Sequence, residues 1–430
     1  MRKWLLMCGL LLAACADAPV TEEAGIEIGM AGPAAEGDAG EGRIGALAPT
    51  LSPLVVGSPS APVASGGGTG RVRAGVLTAG DIDDGLNLAA FQRYLAAARR
   101  DLSLPMVNFA APVLAQVLGP DGAPASGARV TLRLPKAAEP FYDGYAGVDG
   151  MVTVFPAALG AGRPASVELR GFSGAGEVSQ LLSTGGARAR VALPAGGLVA
   201  PQFLDLVFVL DATGSMGDEI DWLARDLVQI VGRARSGFGA VDIRYGLIVY
   251  RDVGDDFVVR SYDFTGSLSV MRGQVRAQQA GGGGDYPEAA AAAMAAAMAL
   301  PWRRGQGERL VFQIADAPPH DADAGPYLAA ARAAAVANVQ IFGLGASGVG
   351  PEAEYLMRQA AAVTGGRYLF LTDDSGVGAS HAEPTISCYQ VTALNDLLVR
   401  VLRSELSGRR IEAGSVLRTV GTVQNGVCRN

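Results

Sequence analysis

Histidine is nearly absent from this chain: 430 residues contain two, His320 and His381. So few argue against imidazole-based zinc sites and against a Ser-His-Asp triad. Aromatic residues make up only 6%. The abundance of Ala and Gly points instead to small-residue packing and flexible stretches, not to an aromatic ligand cage. Positive charge is not in excess, with 35 Lys+Arg against 42 Asp+Glu, so the electrostatic footprint of a nucleic-acid binder is missing. The apolar run at residues 4–12 falls well short of the roughly 20 residues that span a bilayer. Cysteine is limited to Cys8, Cys15, Cys388 and Cys428.

What is present begins with a basic Met1-Arg2-Lys3, the short apolar run, and Leu12-Ala13-Ala14-Cys15. This order suits a secretory signal core, and its end resembles a bacterial lipobox. The resemblance implies that residues 1–14 are a lipoprotein signal peptide and that Cys15 is lipidated; an ordinary cleaved secretory signal is the alternative. Ala16, by resemblance to Gram-negative lipoproteins, favours the outer membrane, so the expected location is the cell envelope, held by a lipid anchor. In such an oxidising compartment Cys388 and Cys428 form a disulfide or remain two free thiols.

Residues 15–73 are rich in Ala, Gly, Pro and Ser, include Gly66-Gly67-Gly68, and lack apolar periodicity. They read as a disordered tether. Residues 74–106 read as a helical connector, with a helix over 89–100 and Asn87 as its N-cap. Asp81, Asp83 and Gly85 invite comparison with an EF-hand loop, but the required Glu is replaced by Gln92. Residues 77–84 also resemble a segment seen ahead of adhesin-type domains in bacterial surface proteins, with no physical role evident. Over 107–196, alternation at Val113, Ala115 and Val117, then at Val130, Leu132 and Leu134, is punctuated by Gly119-Pro120-Asp121-Gly122 and Gly147-Val148-Asp149-Gly150. That pattern indicates a small antiparallel β-sandwich, and its strings resemble carboxypeptidase-regulatory-like domains, which implies a spacer or binding module.

From residue 200 to 407 apolar strand patterns (204–210, 243–250, 257–262, 310–314, 339–344, 367–371) alternate with helical ones (220–231, 287–299, 327–337, 351–363, 391–406). The fold class is therefore α/β, a doubly wound, mainly parallel sheet preceded by the sandwich, with 408–430 left as a tail. Ligands in such sheets bind beyond the carboxyl ends of the strands. Three loops stand out there. Asp211-Ala212-Thr213-Gly214-Ser215 is Asp-x-Thr-x-Ser and resembles the metal ion-dependent adhesion site of the von Willebrand factor type A family. Alternate residues of an extended loop can aim three oxygens at one hard cation; a helix N-cap is the plainer use of Ser215. The loop 281–288 ends in Asp285-Tyr286-Pro287-Glu288 and places Asp285 where the family has a Thr ligand, although Asp285 and Glu288 also match a capping box. Asp316, at the end of the strand 310–314, matches the remaining acidic ligand. The resemblance thus implies a metal site of Asp211, Thr213, Ser215, Asp285 and Asp316 for Mg²⁺, or Mn²⁺ or Ca²⁺. His320 reads as packing against or hydrogen-bonding the loop, with direct metal ligation as the lesser alternative, and Asp373-Asp374 as a solvated turn or a second cation site.

The implied function is non-enzymatic binding of a partner protein, whose acidic side chain completes the metal's coordination. The membrane is reached through the lipid anchor, and nucleic acid is not a partner. A metal-free structural envelope protein is the alternative. A metal-assisted hydrolase is disfavoured because no general base stands apart from the ligands. The near match to a nucleophile elbow, Gly171-Phe172-Ser173-Gly174-Ala175, lacks its last Gly.

Overall fold

The computed structural model describes residues 76–174, 176–197, 199–239, 241–375 and 384–429. The expected signal peptide (1–14), Cys15, the tether (15–73) and His381 lie outside the described residues.

The described chain opens with β1 (Thr78–Ile82) and α1 (Leu88–Asp101). Seven short strands follow: β2 (Val113–Leu118), β3 (Arg129–Arg133), β4 (Tyr142–Tyr145), β5 (Met151–Val154), β6 (Ser166–Ser173), β7 (Gly176–Ser183) and β8 (Ala189–Ala192). Then come β9 (Phe203–Asp211), α2 (Gly217–Arg235), β10 (Asp242–Tyr250), β11 (Val259–Thr265), α3 (Leu268–Arg276), α4 (Ala290–Ala299), β12 (Glu308–Ala315), α5 (Ala324–Val336), β13 (Gln340–Gly345), α6 (Pro351–Thr364) and β14 (Tyr368–Thr372). The chain closes with β15 (Tyr389–Ala393), α7 (Leu394–Ser407), β16 (Arg418–Val420), β17 (Thr422–Gln424) and β18 (Val427–Arg429).

Strands β9 and β12 are buried on both faces and mainly apolar, with Asp205 and Asp211 in the first and Glu308, Arg309 and Gln313 in the second. They lie at the middle of a nine-stranded sheet ordered β11-β10-β9-β12-β13-β14-β1-β15-β16. The run from β10 to β14 is parallel, whereas β11, β1, β15 and β16 pair antiparallel. The sheet is therefore mixed, and less parallel than the sequence pattern suggests. Helices α2, α3 and α7 cover one face through side chains such as Leu223, Met271 and Leu397. Helices α1, α4, α5 and α6 cover the other, with Phe91, Tyr327 and Leu356 buried beside the alanines of α4 and α5. Small side chains let those two helices bury a face despite carrying little hydrophobic volume.

The segment expected to be a helical connector contains a strand. β1 threads antiparallel between β14 and β15, with Gly80 opposite Phe370. A glycine is required there: a Cβ on residue 80 would lie 2.6 Å from the Phe370 ring, which packs edge-on against Tyr389. Strand propensity is poor in Thr-Ala-Gly-Asp-Ile, so the neighbouring strands, not the local sequence, set this conformation. Helix α3 also escaped the periodicity. Residues 389–393 form β15 where the helical pattern was extended back to 391, because Val391 pairs with Arg418 across the β15–β16 ladder.

The aspartates of the EF-hand-like string are fastened to arginines. Asp81 meets Arg400 at 2.6 Å and Arg367 at 3.5 Å. Asp84 meets Arg358 at 2.7 Å, and Asp83 meets Arg410 at 3.0 Å. Burial works to raise the Asp81 carboxyl, but Arg400, Arg367 and Arg410 outweigh it and hold Asp81 at about 2. These pairs tie β1 and its following turn to α6, α7, β14 and the C-terminal segment. Asn87 precedes α1 as expected, but its side chain makes no cap. Its amide donates to the Gly426 carbonyl and its oxygen accepts from the Cys428 amide, holding the β17–β18 hairpin. The same hairpin is joined to β15 by a Cys388–Cys428 disulfide.

Strands β2 to β8 form a three-stranded sheet, β5-β2-β8, and a four-stranded one, β4-β3-β6-β7. Alternate side chains of both, Val113, Val130, Val152, Val167 and Val191 among them, share one apolar cluster. One pairing, β2 with β8, is parallel, so this module departs from the purely antiparallel expectation. It sits in the chain between α1 and β9. Asp149 fastens it to the large sheet's unit: its amide donates to the Gly408 carbonyl and its carboxylate accepts from the Arg410 amide.

Two outcomes follow from these linkages. Asp81→Asn leaves Arg400 and Arg367 buried without their shared charge and should cost about 3 kcal/mol, read by urea unfolding at neutral pH. The folded value of about 2 lies below the ordinary 3.8, so the Asp81 contribution is present above about pH 4 and lost as pH falls through about 2; the gap between wild type and Asp81→Asn should narrow over that window. Opening the disulfide, whose cysteines are 40 residues apart, by Cys428→Ser should remove about 4 kcal/mol on loop-entropy grounds, seen as a lower Tm.

Candidate metal centre

Strand β9 delivers Asp211 to the carboxyl rim of the parallel run, the edge at which open α/β sheets bind ligands. The loop after it is held by its neighbours. The Ala212 amide donates to the Tyr250 carbonyl at 2.8 Å, and the Ala212 carbonyl accepts from the Gly281 amide at 3.0 Å and from Arg251 Nε at 3.2 Å. The Gly214 amide donates to the Gly282 carbonyl at 3.2 Å. The first and second loops are thus laced together along their backbones.

Asp211 is fully buried. Its Oδ1 accepts from the Thr213 amide at 3.0 Å and from the Thr213 hydroxyl at 2.7 Å. Its Oδ2 is buried and makes no hydrogen bond of good geometry, although the Tyr250 hydroxyl lies near enough to the carboxylate to favour its charged form. Burial, with the Asp316 charge adding to it, pushes the Asp211 carboxyl up to about 7 against the opposing Thr213 amide bond. Asp316 stands directly after β12 and is raised by burial, with the Ser215 hydroxyl beside it acting in the opposite direction. Asp211, Thr213, Ser215 and Asp316 are therefore brought together, by two pairwise contacts and one repulsion. The side chain of Thr213 is buried, and Ser215 is exposed at the mouth.

Asp285 is placed differently from the sequence expectation. It is exposed, and its charge is felt at His320. Glu288 takes the inner position. It is 4% exposed, and its Oε2 has no partner. Burial, then repulsion from Asp211, Asp252, Asp255 and Asp316, drives its carboxyl up to about 9. The capping box is not formed: α4 starts at Ala290 behind Ala289, with no side-chain cap. The Glu288 amide instead donates to the Pro318 carbonyl at 2.9 Å, bridging the second loop to the third.

A fourth loop, after β10, was not singled out in the sequence. Asp255 Oδ2 accepts from the Gly283 amide at 2.9 Å and the Asp252 amide at 3.0 Å; those two bonds hold its pKa down. Gly282 has φ +76°, and a Cβ there would run into the Asp255 carboxylate. Asp252 pairs with His320 Nε2 at 2.7 Å, a bond that raises the imidazole pKa despite some desolvation. His320 therefore does bond its surroundings, with a partner on a different loop. The signal that could have flagged Asp252 is its place immediately beyond a buried strand end.

Other singled-out residues have partners elsewhere. The Asp374 carboxylate of the acidic turn accepts from Arg418 at 2.8 and 3.1 Å. The Ser173 hydroxyl, on β6, donates to the Gly176 carbonyl at 3.0 Å.

Among the described residues no group of three or more His, Cys, Asp or Glu side chains is arranged to hold a metal ion. A centre here would rest on hydroxyls together with carboxylates. Two features suit a hard cation: buried carboxylate oxygens that make no hydrogen bond of good geometry, at Asp211 and Glu288, and carboxyls whose mutual repulsion a cation would relieve.

The alpha-protein kinase vwkA of Dictyostelium discoideum is 33% identical over 126 residues, 28% of this chain and 19% of that protein. A putative ariadne-like RING finger protein, R811, of Acanthamoeba polyphaga mimivirus is 33% identical over 122 residues, 27% of this chain and 11% of that protein. The chain thus spans less than a fifth of the length of either relative. The crystal structure of the conserved hypothetical protein BatB from Bacteroides thetaiotaomicron matches at 17% identity and a TM-score of 0.32, over 41% of this chain and 91% of that one. A family model described as von Willebrand factor A domain matches residues 205–346. The matched span runs from β9 through the glycine-rich loop to the end of β13, and so includes all the loops of the candidate centre: residues 205–346 of this chain are similar to the von Willebrand factor A domain family.

Proposed function

We propose that this chain binds a partner protein through a divalent cation held at the rim of its von Willebrand factor A domain, and that Cys15 anchors it by lipid in a bacterial cell envelope, at the outer membrane. The cation would be Mg²⁺, or Mn²⁺ or Ca²⁺, held by Asp211, Thr213, Ser215 and Asp316. It would supply an open coordination position for an oxygen of the partner; on the sequence reading, that oxygen belongs to an acidic side chain. The domain type favours protein interaction over catalysis. We further propose that the two-sheet module is the carboxypeptidase-regulatory-like spacer of the sequence reading.

One observation carries the metal reading: Asp211 Oδ2, in a fully buried carboxylate at the end of β9, makes no hydrogen bond of good geometry, with only the Tyr250 hydroxyl beside the carboxylate to answer it. A buried carboxylate oxygen without a well-placed donor is costly, and a hard cation would satisfy it. The protein's own share of the work is positional. The Asp211–Thr213 bonds fix the first loop. Asp255 holds the glycine-rich loop against the loop after β10. The Glu288–Pro318 bond joins second loop to third.

Titrating Mg²⁺, Mn²⁺ and Ca²⁺ calorimetrically into wild type and Asp211→Ala tests this directly. Wild type should bind at least one of them, and Asp211→Ala should bind it at least about tenfold more weakly, a loss of roughly 1.4 kcal/mol. Equal affinities would leave the metal-free structural protein as the better reading. Capture of partners from envelope extract should follow the same pattern, present with Mg²⁺ and lost with EDTA.

A further inference from the structure

We infer that the cavity between the two-sheet module and the amino ends of β12, β13 and β14 binds a small zwitterion, a free α-amino acid. The cavity measures about 460 Å³, within the roughly 300–1,000 Å³ of small-molecule sites, which gather where folded units meet. It lies at the opposite end of the parallel strands from Asp316, so it is separate from the candidate metal centre. Glu308 is the first residue of β12, Gln340 the first of β13, and Arg367 directly precedes β14. Because these strands are parallel neighbours, the three residues reach one edge together. Gln340 Nε2 donates to two carboxylates, Glu308 at 3.4 Å and Glu405 of α7 at 3.2 Å, and Glu405 meets Arg367 at 3.9 Å. The module supplies the facing wall, with Tyr142 and Tyr145 of β4. Asn338 keeps β4 there: its Nδ2 donates to the Asp143 carbonyl at 2.9 Å, and a Cβ on Gly144 would run into Asn338 and the Tyr142 hydroxyl. The module therefore does more than space the chain; it closes a site.

The charges along this wall are poorly answered. A charge-assisted bond of good geometry closes to about 2.7–2.9 Å, as Asp81 does with Arg400 at 2.6 Å. Arg367 is buried, yet its acidic neighbours Asp81 and Glu405 stand off at 3.5 and 3.9 Å. Glu308 accepts the long bond from Gln340 and, among the described residues, has no ion pair. Burial, then repulsion from Glu405, lifts the Glu308 carboxyl to about 8. Burial raises Glu405 against the pull of Arg367, and burial followed by Arg410 lowers Arg367. Gln306 Nε2, in the same lining, is buried without a hydrogen-bond partner among the described residues.

Unmet charge of both signs selects the ligand. A cation alone would answer Glu308 and Glu405 and leave Arg367 as it is. An anion alone would answer Arg367 and repel both glutamates. A ligand with an ammonium toward the glutamates and a carboxylate toward Arg367 answers all three. Its two charges must be close together, because Glu405 and Arg367 are neighbours. In a free α-amino acid one carbon joins them, whereas a peptide holds its terminal charges apart. Gln306 is a further donor for the ligand's oxygens.

The test titrates each standard α-amino acid into the full chain, first by thermal shift and then by calorimetry. EDTA is present throughout, so that no cation at the rim can capture a ligand carboxylate and the outcome is independent of the metal reading. At least one amino acid should raise Tm and bind with Kd of about 1 mM or tighter, roughly −4 kcal/mol. Its N-acetyl and α-amide derivatives, each lacking one of the two charges, should bind at least about tenfold more weakly. Glu308→Gln and Tyr145→Ala should weaken binding to a similar extent. Glu308→Gln removes a repelled carboxylate and should fold; if Tyr145→Ala does not, Glu308→Gln and the two derivatives decide. Failure of every amino acid to bind overturns the inference. So does undiminished binding of either derivative, or wild-type affinity in Glu308→Gln.

Discussion

An aspartate in the middle of a strand cannot lie inside an apolar sheet unless its charge is answered, and the architecture follows from how Asp81 is answered. Arg367 comes from the residue just before β14, Arg400 from α7, and Asp81 itself from β1, which pairs with β14. Removing a carboxylate and two guanidinium groups from water is unfavourable unless they meet closely. Once they do, β1 has one register against β14. The two-sheet module must then leave the sheet after α1 and return at β9, as an excursion from a unit already begun. The linear order of the sequence, connector then sandwich then α/β domain, conceals that arrangement.

Legibility differed between elements for physical reasons. Strands β9 and β12 announce themselves because burial on both faces favours long apolar runs, each here interrupted by one polar residue, Asp205 and Gln313. The alternation in β2 and β3 is equally plain because only one face of each meets a core. β1 offers neither cue: its Gly80 is there to accommodate the Phe370 ring and its Asp81 to meet arginines some 300 residues away. Asn87 could be placed before α1 from sequence, yet its side chain binds a hairpin at the far end of the chain. At the candidate centre, Asp211, Thr213 and Ser215 were readable because they are alternate residues of one short loop, and Asp316 because it ends a recognisable strand. Glu288 was not, since its inward position depends on a backbone bond to Pro318, a product of tertiary structure. The same is true of Asp252 and Asp255, whose roles emerge only when the loop after β10 meets the glycine-rich loop.

Carboxylates play two opposed parts in this molecule. Beneath α6 and α7, each buried acid has an arginine within ion-pair distance; burial still raises Asp84, Glu354 and Glu405, but Asp81, with several arginines about it, stays ionised at about 2. At the rim, Asp211, Glu288 and Asp316 crowd together without a guanidinium bonded to any of them, and all three are pushed upward. The difference lies in what surrounds each group, since the residue types are the same. The first arrangement serves the fold. The second has no guanidinium to keep it ionised, so at the edge where the carboxyl ends of the parallel strands gather these groups take up protons more readily than ordinary carboxyls.

The position of β1 also has a mechanical meaning. Residue 76 leads straight into a strand hydrogen-bonded on both sides, to β14 and to β15. A pull arriving from the preceding chain acts along that strand, so its ladders are loaded together in shear, where unzipping would break them singly. The ion pairs of Asp81 lie across the same line of force. Tension applied from that direction would be met by these two ladders and by the ion pairs of Asp81, whereas the rim loops follow other strands.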